Sequence, residues 1–312
     1  MVNKKMKELL FDLEIKNEYI LKNFKNSIVL DIETTGLSRK YDAIFLIGII
    51  EIEKNTKTKL LFAENLKEEL NLLKSLNLNG KNIITYNGNR FDIPFINSKL
   101  TEYNLSPLSI NSFDLYNYVN KFKHILNLKS YKQKNIEEFL NINRSDFISG
   151  GEVCNNYKTY LQTKNEMLLH SILKHNKDDV ECLLNSLEII NYIENKSIFY
   201  VDEHKFIIED IFFDKNFLTI KGTTSYNKNL NYNLFNKNLE IRNKIFSYTI
   251  EIREDYYSKD KKCKYILSSD YYDIENKTEF PAPRGVYLLY LNNILFENIL
   301  NLSKTLTQQI IQ

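Results

Sequence analysis

The stretch from Ile28 to Leu37, Ile-Val-Leu-Asp-Ile-Glu-Thr-Thr-Gly-Leu, constrains the fold of this chain more than any other. Ile28, Val29, Leu30 and Ile32 make the apolar, β-branched run of a buried strand, yet that run carries Asp31 and Glu33. Side chains alternate along a strand, so Asp31 and Glu33 share one face and Leu30 and Ile32 the other. Two carboxylates on one face of an apolar strand repel each other and resist loss of water. A positive charge is therefore expected between them, most simply a divalent cation. An Asp and a Glu facing solvent at a strand end satisfy the same pattern. After Thr34 and Thr35, Gly36 permits a turn or a close backbone approach.

Asn82 to Tyr86 is a second short apolar strand, and Asn87-Gly-Asn-Arg-Phe-Asp-Ile-Pro-Phe follows it. Gly88 serves a turn and Pro94 suits the first turn of a helix. Asp92 then sits at a loop-to-helix junction, where it either faces a site or caps the helix. From Glu166 to about Glu194, Leu168, Leu169, Ile172, Leu173, Val180, Leu183, Leu184 and Leu187 supply the apolar side of one long helix. Within it His175 and Asp179 share a face, as a surface pair or as members of a site. Asp178 points about 100° away from Asp179.

The other segments fill in an α/β order. Residues 4–24 place Leu9, Leu10, Leu13, Tyr19, Ile20 and Phe24 among charges, the pattern of an amphipathic helix. Ala43 to Ile52 and Lys59 to Phe62 read as strands that pair antiparallel beside the first, and Leu66 to Leu76 as a helix. Leu108 to Leu115 reads as a strand ending near Asp114, which caps the next helix or supports a site. Helices are expected around Tyr116 to Phe122, Tyr131 to Leu140 and Asn156 to Leu161, with Gly150-Gly151 as a turn. Beyond about Ser197, β-type runs recur at Phe206 to Phe213, Phe217 to Lys221, Phe246 to Arg253, Lys264 to Leu267 and Gly285 to Leu291, closed by a helix from about Ile294 to Ile311. Two domains follow, residues 1–196 and a smaller β-rich domain over residues 197–312. A chain of 312 residues is long enough for both to bury cores.

Net charge is +2, and from Val201 onward 15 Lys and Arg balance 15 Asp and Glu, so charge alone announces no nucleic-acid partner. Cys154, Cys182 and Cys263 lie far apart, which argues against a zinc site or a disulfide framework and for buried thiols in a reducing compartment. No apolar run approaches membrane length and the first residues are unlike a signal peptide, so a cytoplasmic protein without a membrane partner is expected.

Together Asp31-Ile-Glu33, Asn87-Gly-x-x-Phe-Asp92 and His175-x-x-x-Asp179, in that order and on those elements, resemble the DEDD exonucleases. Asp-Ile-Glu-Thr-Thr-Gly-Leu, Tyr-Asn-Gly-x-x-Phe-Asp-x-Pro and His-Asn-x-x-Asp-Val resemble in particular the YprB-type RNase H-like domain, over roughly residues 25–195. The resemblance implies an α/β, RNase H-like mixed sheet flanked by helices, with Asp31, Glu33, Asp92 and Asp179 as ligands of two Mg²⁺ or Mn²⁺ ions and Asp31 bridging them. It also implies that His175 takes the proton from the attacking water or orients that water. One departure stands out: the His branch of the family places its His five residues before the last Asp and the Tyr branch its Tyr four before, whereas here His175 stands four before Asp179.

The chemistry explains the residue types. Hydrolysis of a phosphodiester needs a nucleophile at neutral pH and a stabilised leaving oxygen, which two divalent ions about 3.5 to 4 Å apart supply. Hard ions take carboxylate ligands, and an imidazole of ordinary pKa about 6.5 suits proton transfer. The implied activity is metal-dependent cleavage of DNA or RNA from a 3′ end. A structure-specific endonuclease with the same site and an inactive nucleic-acid-binding scaffold are the alternatives, and the presence of all four carboxylates and His175 argues against the scaffold. Thr34, Thr35, Gly36 and Leu37 shape a pocket for the terminal nucleotide or form an ordinary turn. Asn87 and Phe91 touch substrate or pack locally. Lys121, Lys123, Lys129, Lys132 and Lys134, with Tyr131 among them, track a phosphate backbone or form a solvated face. The Tyr and Phe residues of the second domain are expected in its core and not stacked on bases.

Overall fold

The computed structural model describes residues 6–271 and 274–311. One compact unit takes in the chain up to Lys121 and again Leu128–Asn191; the other holds Phe122–Asn127 and the chain from Tyr192 onward. In chain order the elements are β1 (Lys7–Glu14), α1 (Glu18–Asn23), β2 (Ile28–Thr34), β3 (Ile44–Glu51), β4 (Asn55–Phe62), α2 (Glu69–Lys74), β5 (Asn82–Thr85), α3 (Asp92–Glu102), β6 (Asn111–Asp114), α4 (Leu115–Lys121), α5 (Lys123–Leu126), α6 (Gln133–Phe139), α7 (Gly150–Thr163), α8 (Glu166–Ser186) and α9 (Glu188–Ser197).

Among the described residues of the first unit, strands in the order β1-β4-β3-β2-β5-β6 form one mixed sheet. The pairs β1–β4, β4–β3 and β3–β2 are antiparallel, and β2–β5 and β5–β6 are parallel. β2 and β3 are buried on nearly every residue because both faces of the sheet are covered. α8 packs on β2, β3 and β4, and α7 packs on α8. Gly48 is paired with Asp31 across β3 and β2, and a Cβ there would fall on the Asn176 Oδ1 and Val180 Cγ1 atoms of α8. Glycine at this one position lets α8 approach the strand that carries the carboxylates.

Three sequence expectations need correction. The amphipathic helix expected over residues 4–24 is instead β1 followed by the short α1; Lys4 and Lys5 lie outside the described residues. Exposure alternates along β1, with Leu9, Phe11 and Leu13 turned inward, and the whole strand pairs with β4. Period two and an available sheet edge outweigh the helical spacing of the same residues. The long helix expected to run to about Glu194 breaks at Leu187 into α8 and α9. Gly150 and Gly151 are no turn: they open α7, whose N-terminus Ser149 and Glu152 close with a reciprocal capping box.

The second unit contains β7 (Ile198–Val201), β8 (His204–Asp214), β9 (Phe217–Thr224), β10 (Leu230–Leu234), β11 (Lys237–Arg242), β12 (Ile245–Glu251), β13 (Arg253–Ser258), β14 (Lys261–Leu267), β15 (Val286–Leu291), β16 (Asn293–Ile294) and α10 (Phe296–Ile311). Its described strands form two sheets, β10-β11-β12-β9-β8-β7 and β13-β14-β15-β16. β10 and β11 are not expected from sequence; β11 pairs antiparallel with β12, and β10 pairs antiparallel with β11. Phe206, Phe246, Tyr248, Tyr271 and Tyr287 are buried in this unit and serve its packing, whereas Tyr200, Phe212, Phe217, Phe235, Tyr256 and Phe280 are exposed, so the core takes only part of the aromatic richness. No helix among the described residues is long and apolar enough to cross a membrane.

Candidate active site

Three elements deliver the four carboxylates to one place. β2 carries Asp31 and Glu33. Asp92 is the first residue of α3, and its Oδ1 accepts from the Ile32 backbone N–H at 3.2 Å, tying the helix start to β2. α8 carries His175, Asn176 and Asp179. The Asn176 amide donates to Asp31 Oδ2 at 2.6 Å, so the helix also fixes the carboxylate of the central strand. All four acids and His175 line a single cavity of about 500 Å³, together with Tyr86, Asn87, Phe91, Lys132, Lys134 and Arg144 among others.

The acids are crowded and short of water. Burial pushes the Asp31 carboxyl well up, and the charges of Asp179, Asp92 and Glu33 push it further. Burial likewise raises Glu33 to about 8, against the lowering effect of His175. Burial raises Asp92 to about 7 in spite of its backbone hydrogen bonds. Asp179 goes the other way: burial works to raise it, but the hydrogen bond from His175 and the Arg144 guanidinium hold it below the usual carboxylate range. Burial works to lower His175, yet its bonds to Asp179 and Asp146 and the charge of Glu33 outweigh that and push it up to about 9.

The positive charge expected among the carboxylates is supplied in part by protein, from a segment the sequence reading passed over. Arg144 makes a two-pronged pair with the buried Glu137, through Nε at 2.8 Å and Nη2 at 2.7 Å. Its Nη1 donates to Asp179 Oδ1 at 2.5 Å. Gln133 of α6 donates to Glu137 and to the Asp179 carbonyl. Two residues on, Asp146 Oδ2 lies 2.5 Å from His175 Nδ1. Asp178 has no place in the cavity; its Oδ2 accepts from the backbone N–H groups of Ser145 and Asp146 and from the Ser145 hydroxyl. Adjacent acids on α8 thus face different tasks, as their helical offset requires. The segment 144–146 shows no periodicity, so only the need for a cation near Asp31 and Glu33 hinted at it.

Other residues flagged from sequence divide. Asn87 and Phe91 line the cavity, as do Lys132 and Lys134; Lys121, Lys123 and Lys129 are exposed outside its lining. Thr34, Thr35, Gly36 and Leu37 are not part of the lining. They form a turn in which Thr34 Oγ1 donates to the Gly36 carbonyl and Thr35 Oγ1 to Asp42, while Leu37 is 85% exposed. Asp114 is structural: it accepts from the N–H groups of Asn87 and Asn89 and from those of Tyr116 and Asn117 at the start of α4. The three thiols are free, with Cys182 and Cys263 buried and Cys154 partly so.

A family model described as RNase_H superfamily, RNase_H_2, matches residues 28–191, more than half of the chain. The chain belongs to the RNase_H superfamily. Its matched region begins on β2 and ends in α9, and so encloses every residue of the cavity. Among solved structures, this RNase_H chain is similar to E. coli exonuclease I in complex with a dT13 oligonucleotide, at 12% identity and TM-score 0.35, covering 62% of this chain and 55% of that one. Brucella melitensis NrnC bound to pGG matches at 16% identity and TM-score 0.30, over 60% of this chain and 95% of that one. NrnC with bound Mg²⁺ matches at 17% identity and TM-score 0.27 over the same shares. The chain thus spans about half the length of exonuclease I. No curated protein matches it.

The donor set of this RNase_H domain fits a hard divalent cation. Among the described residues Glu33, His175 and Asp179 bring two carboxylate oxygens and a ring nitrogen within 4.8 Å of one another. Burial first, and then the neighbouring carboxylates, raise Asp31, Glu33 and Asp92, a balance that a bound cation would offset. A pH dependence follows. Unfolding in chelator releases protons held by Glu33, whose value falls from about 8 to 4.5, and by His175, from about 9 to 6.5. Both contributions are complete at low pH and are lost as pH rises through the folded values, so the thermal midpoint in chelator should fall between about pH 5 and pH 9. Saturating Mn²⁺ should raise the midpoint, and more so at higher pH, because cation and proton compete for the same oxygens. Calorimetric scans with and without Mn²⁺ check this; a flat or rising profile in chelator contradicts it.

Proposed function

We propose that this chain is a divalent-metal-dependent nuclease of the YprB type, which removes nucleotides from a 3′ end of DNA or RNA. The observation that carries the reading is the convergence of Asp31, Glu33, Asp92 and Asp179 in one cavity whose rim holds Lys132 and Lys134. The 3′ direction rests on the resemblance of the three motifs to the DEDD exonucleases.

Asp31, Glu33, Asp92 and Asp179 would hold two Mg²⁺ or Mn²⁺ ions. Bound there, such ions supply a nucleophile at neutral pH and neutralise charge on the leaving oxygen. Lys132 and Lys134 draw the phosphate backbone to the cavity, and the Phe91 ring offers an apolar face to a base. His175 takes the proton of the attacking water at Nε2, the nitrogen turned toward Glu33 and Asp179. Asn176 keeps Asp31 oriented while this happens. The β-rich residues 197–312 act as an accessory domain to this centre.

Single- and double-stranded DNA and RNA labelled at either end, and circular DNA, test the reading in Mg²⁺ or Mn²⁺. A ladder from the 3′ end is expected, absent in chelator and with Asp179→Ala, and circles should survive. Cleaved circles would make the protein an endonuclease. Binding of every substrate without cleavage would make it a scaffold.

A further inference from the structure

We propose that Asp146 is a positioning residue for His175: it fixes the imidazole so that Nδ1 carries the proton and Nε2 presents its lone pair to the reacting water. The proposal rests on the nuclease reading of the cavity and deepens it. An aspartate carboxylate is an acceptor, and its Oδ2 lies 2.5 Å from Nδ1. In the neutral ring, the bond to Asp146 therefore places the hydrogen on Nδ1. The opposite nitrogen is 3.1 Å from Asp179 Oδ2 and 3.6 Å from Glu33 Oε1, within the cavity; it donates to Asp179 while the ring carries both protons and offers its lone pair once that proton has left. A ring rotated by half a turn would put Cε1 where Nε2 stands and Cδ2 against Asp146, and would offer the water no base there.

Asp146 is built to hold that position. It is 5% exposed, its other oxygen accepts from the Ile148 backbone N–H at 3.2 Å, and its own N–H donates to Asp178 Oδ2 at 2.7 Å. Asp178 stands on α8 three residues after His175. The helix therefore anchors the loop, and the loop in turn orients the helix's own histidine. That closed circuit leaves the ring little freedom without using a residue that touches substrate. It also accounts for a histidine standing four residues before Asp179: at that spacing its Nε2 already meets Asp179 on the same helix face, and the free Nδ1 needs an acceptor from elsewhere.

The full-length protein, its histidines labelled with ¹⁵N and saturated with Mg²⁺ at pH 9.5, above the value of about 9 to which the His175 ring is pushed, is compared with Asp146→Asn and Asp146→Ala. Long-range ¹H–¹⁵N spectra report the tautomer of His175, while the signals of His124, His170 and His204 report the fold. The wild-type ring is expected as the Nδ1–H form. Both variants should shift toward the Nε2–H form and lose kcat by roughly 10² to 10⁴-fold, the range for a base left in the wrong tautomer, with KM and the Mg²⁺ affinity from calorimetry nearly unchanged. A wild-type Nε2–H ring overturns the proposal even if neither variant folds. So does a fall in kcat without a change of tautomer, or a change of tautomer without a fall in kcat. A wild-type protein that binds nucleic acid but cleaves none removes the nuclease reading as well, whereas cleavage that survives in both variants removes the proposal alone.

Discussion

Asp31→Asn is expected to abolish cleavage and, in the same protein, to make the fold more stable in chelator. Asp31 stands on the central strand, its Oδ2 already held by Asn176, with Glu33, Asp92 and Asp179 close enough to raise its pKa. An amide keeps the shape and the acceptor for Asn176 but gives a divalent ion a neutral oxygen where the reaction needs an anionic one. The expected loss is roughly 10³-fold or more in kcat, which is about 4 kcal/mol of transition-state stabilisation. The same substitution removes one of several like charges from a site with little water, so the unfolding free energy in chelator should rise by about 1 kcal/mol. Single-turnover cleavage and urea titration of the two proteins read both effects, and calorimetry with Mn²⁺ should show weakened binding. Cleavage at the wild-type rate would remove Asp31 from the site.

Arg144→Met should have the largest effect on stability. The guanidinium is enclosed with Glu137, their side chains 9% and 3% exposed, and it also neutralises Asp179. Removing it leaves the buried Glu137 carboxylate with the Gln133 amide but without its cation, and the cost of breaking such a pair is about 3 to 5 kcal/mol. Arg144→Lys should recover only part of this, because an ammonium cannot make the two-pronged contact to Glu137 while reaching Asp179. Combining Arg144→Met with Glu137→Gln should cost clearly less than the sum of the single losses, since the second change removes the stranded charge. Urea midpoints for the four proteins decide the matter. Additive losses would mean that the pair does not share one buried network.

The strand of Asp31 and Glu33, the helix start at Asp92, the helix face of His175 and Asp179, and the β-rich texture after Ser197 are all legible in the residues alone. Each of these is written in local periodicity and turn chemistry, where neighbours a few residues apart decide the outcome. β1 is not legible in this way because Leu9, Leu10 and Leu13 suit a helix as well as a strand, and only the free edge of β4 chooses between them. Gly150 and Gly151 suggest a turn by themselves, and it is the capping by Ser149 and Glu152 that makes them the start of a helix. The partners of the site residues come from the folded chain. Arg144 reaches Asp179 across 35 residues, Asp146 reaches His175 across 29, and Asn176 reaches Asp31 across 145. Long-range hydrogen bonds of this kind leave no period in a sequence, because their geometry exists only after Gly48 has let α8 down onto the sheet.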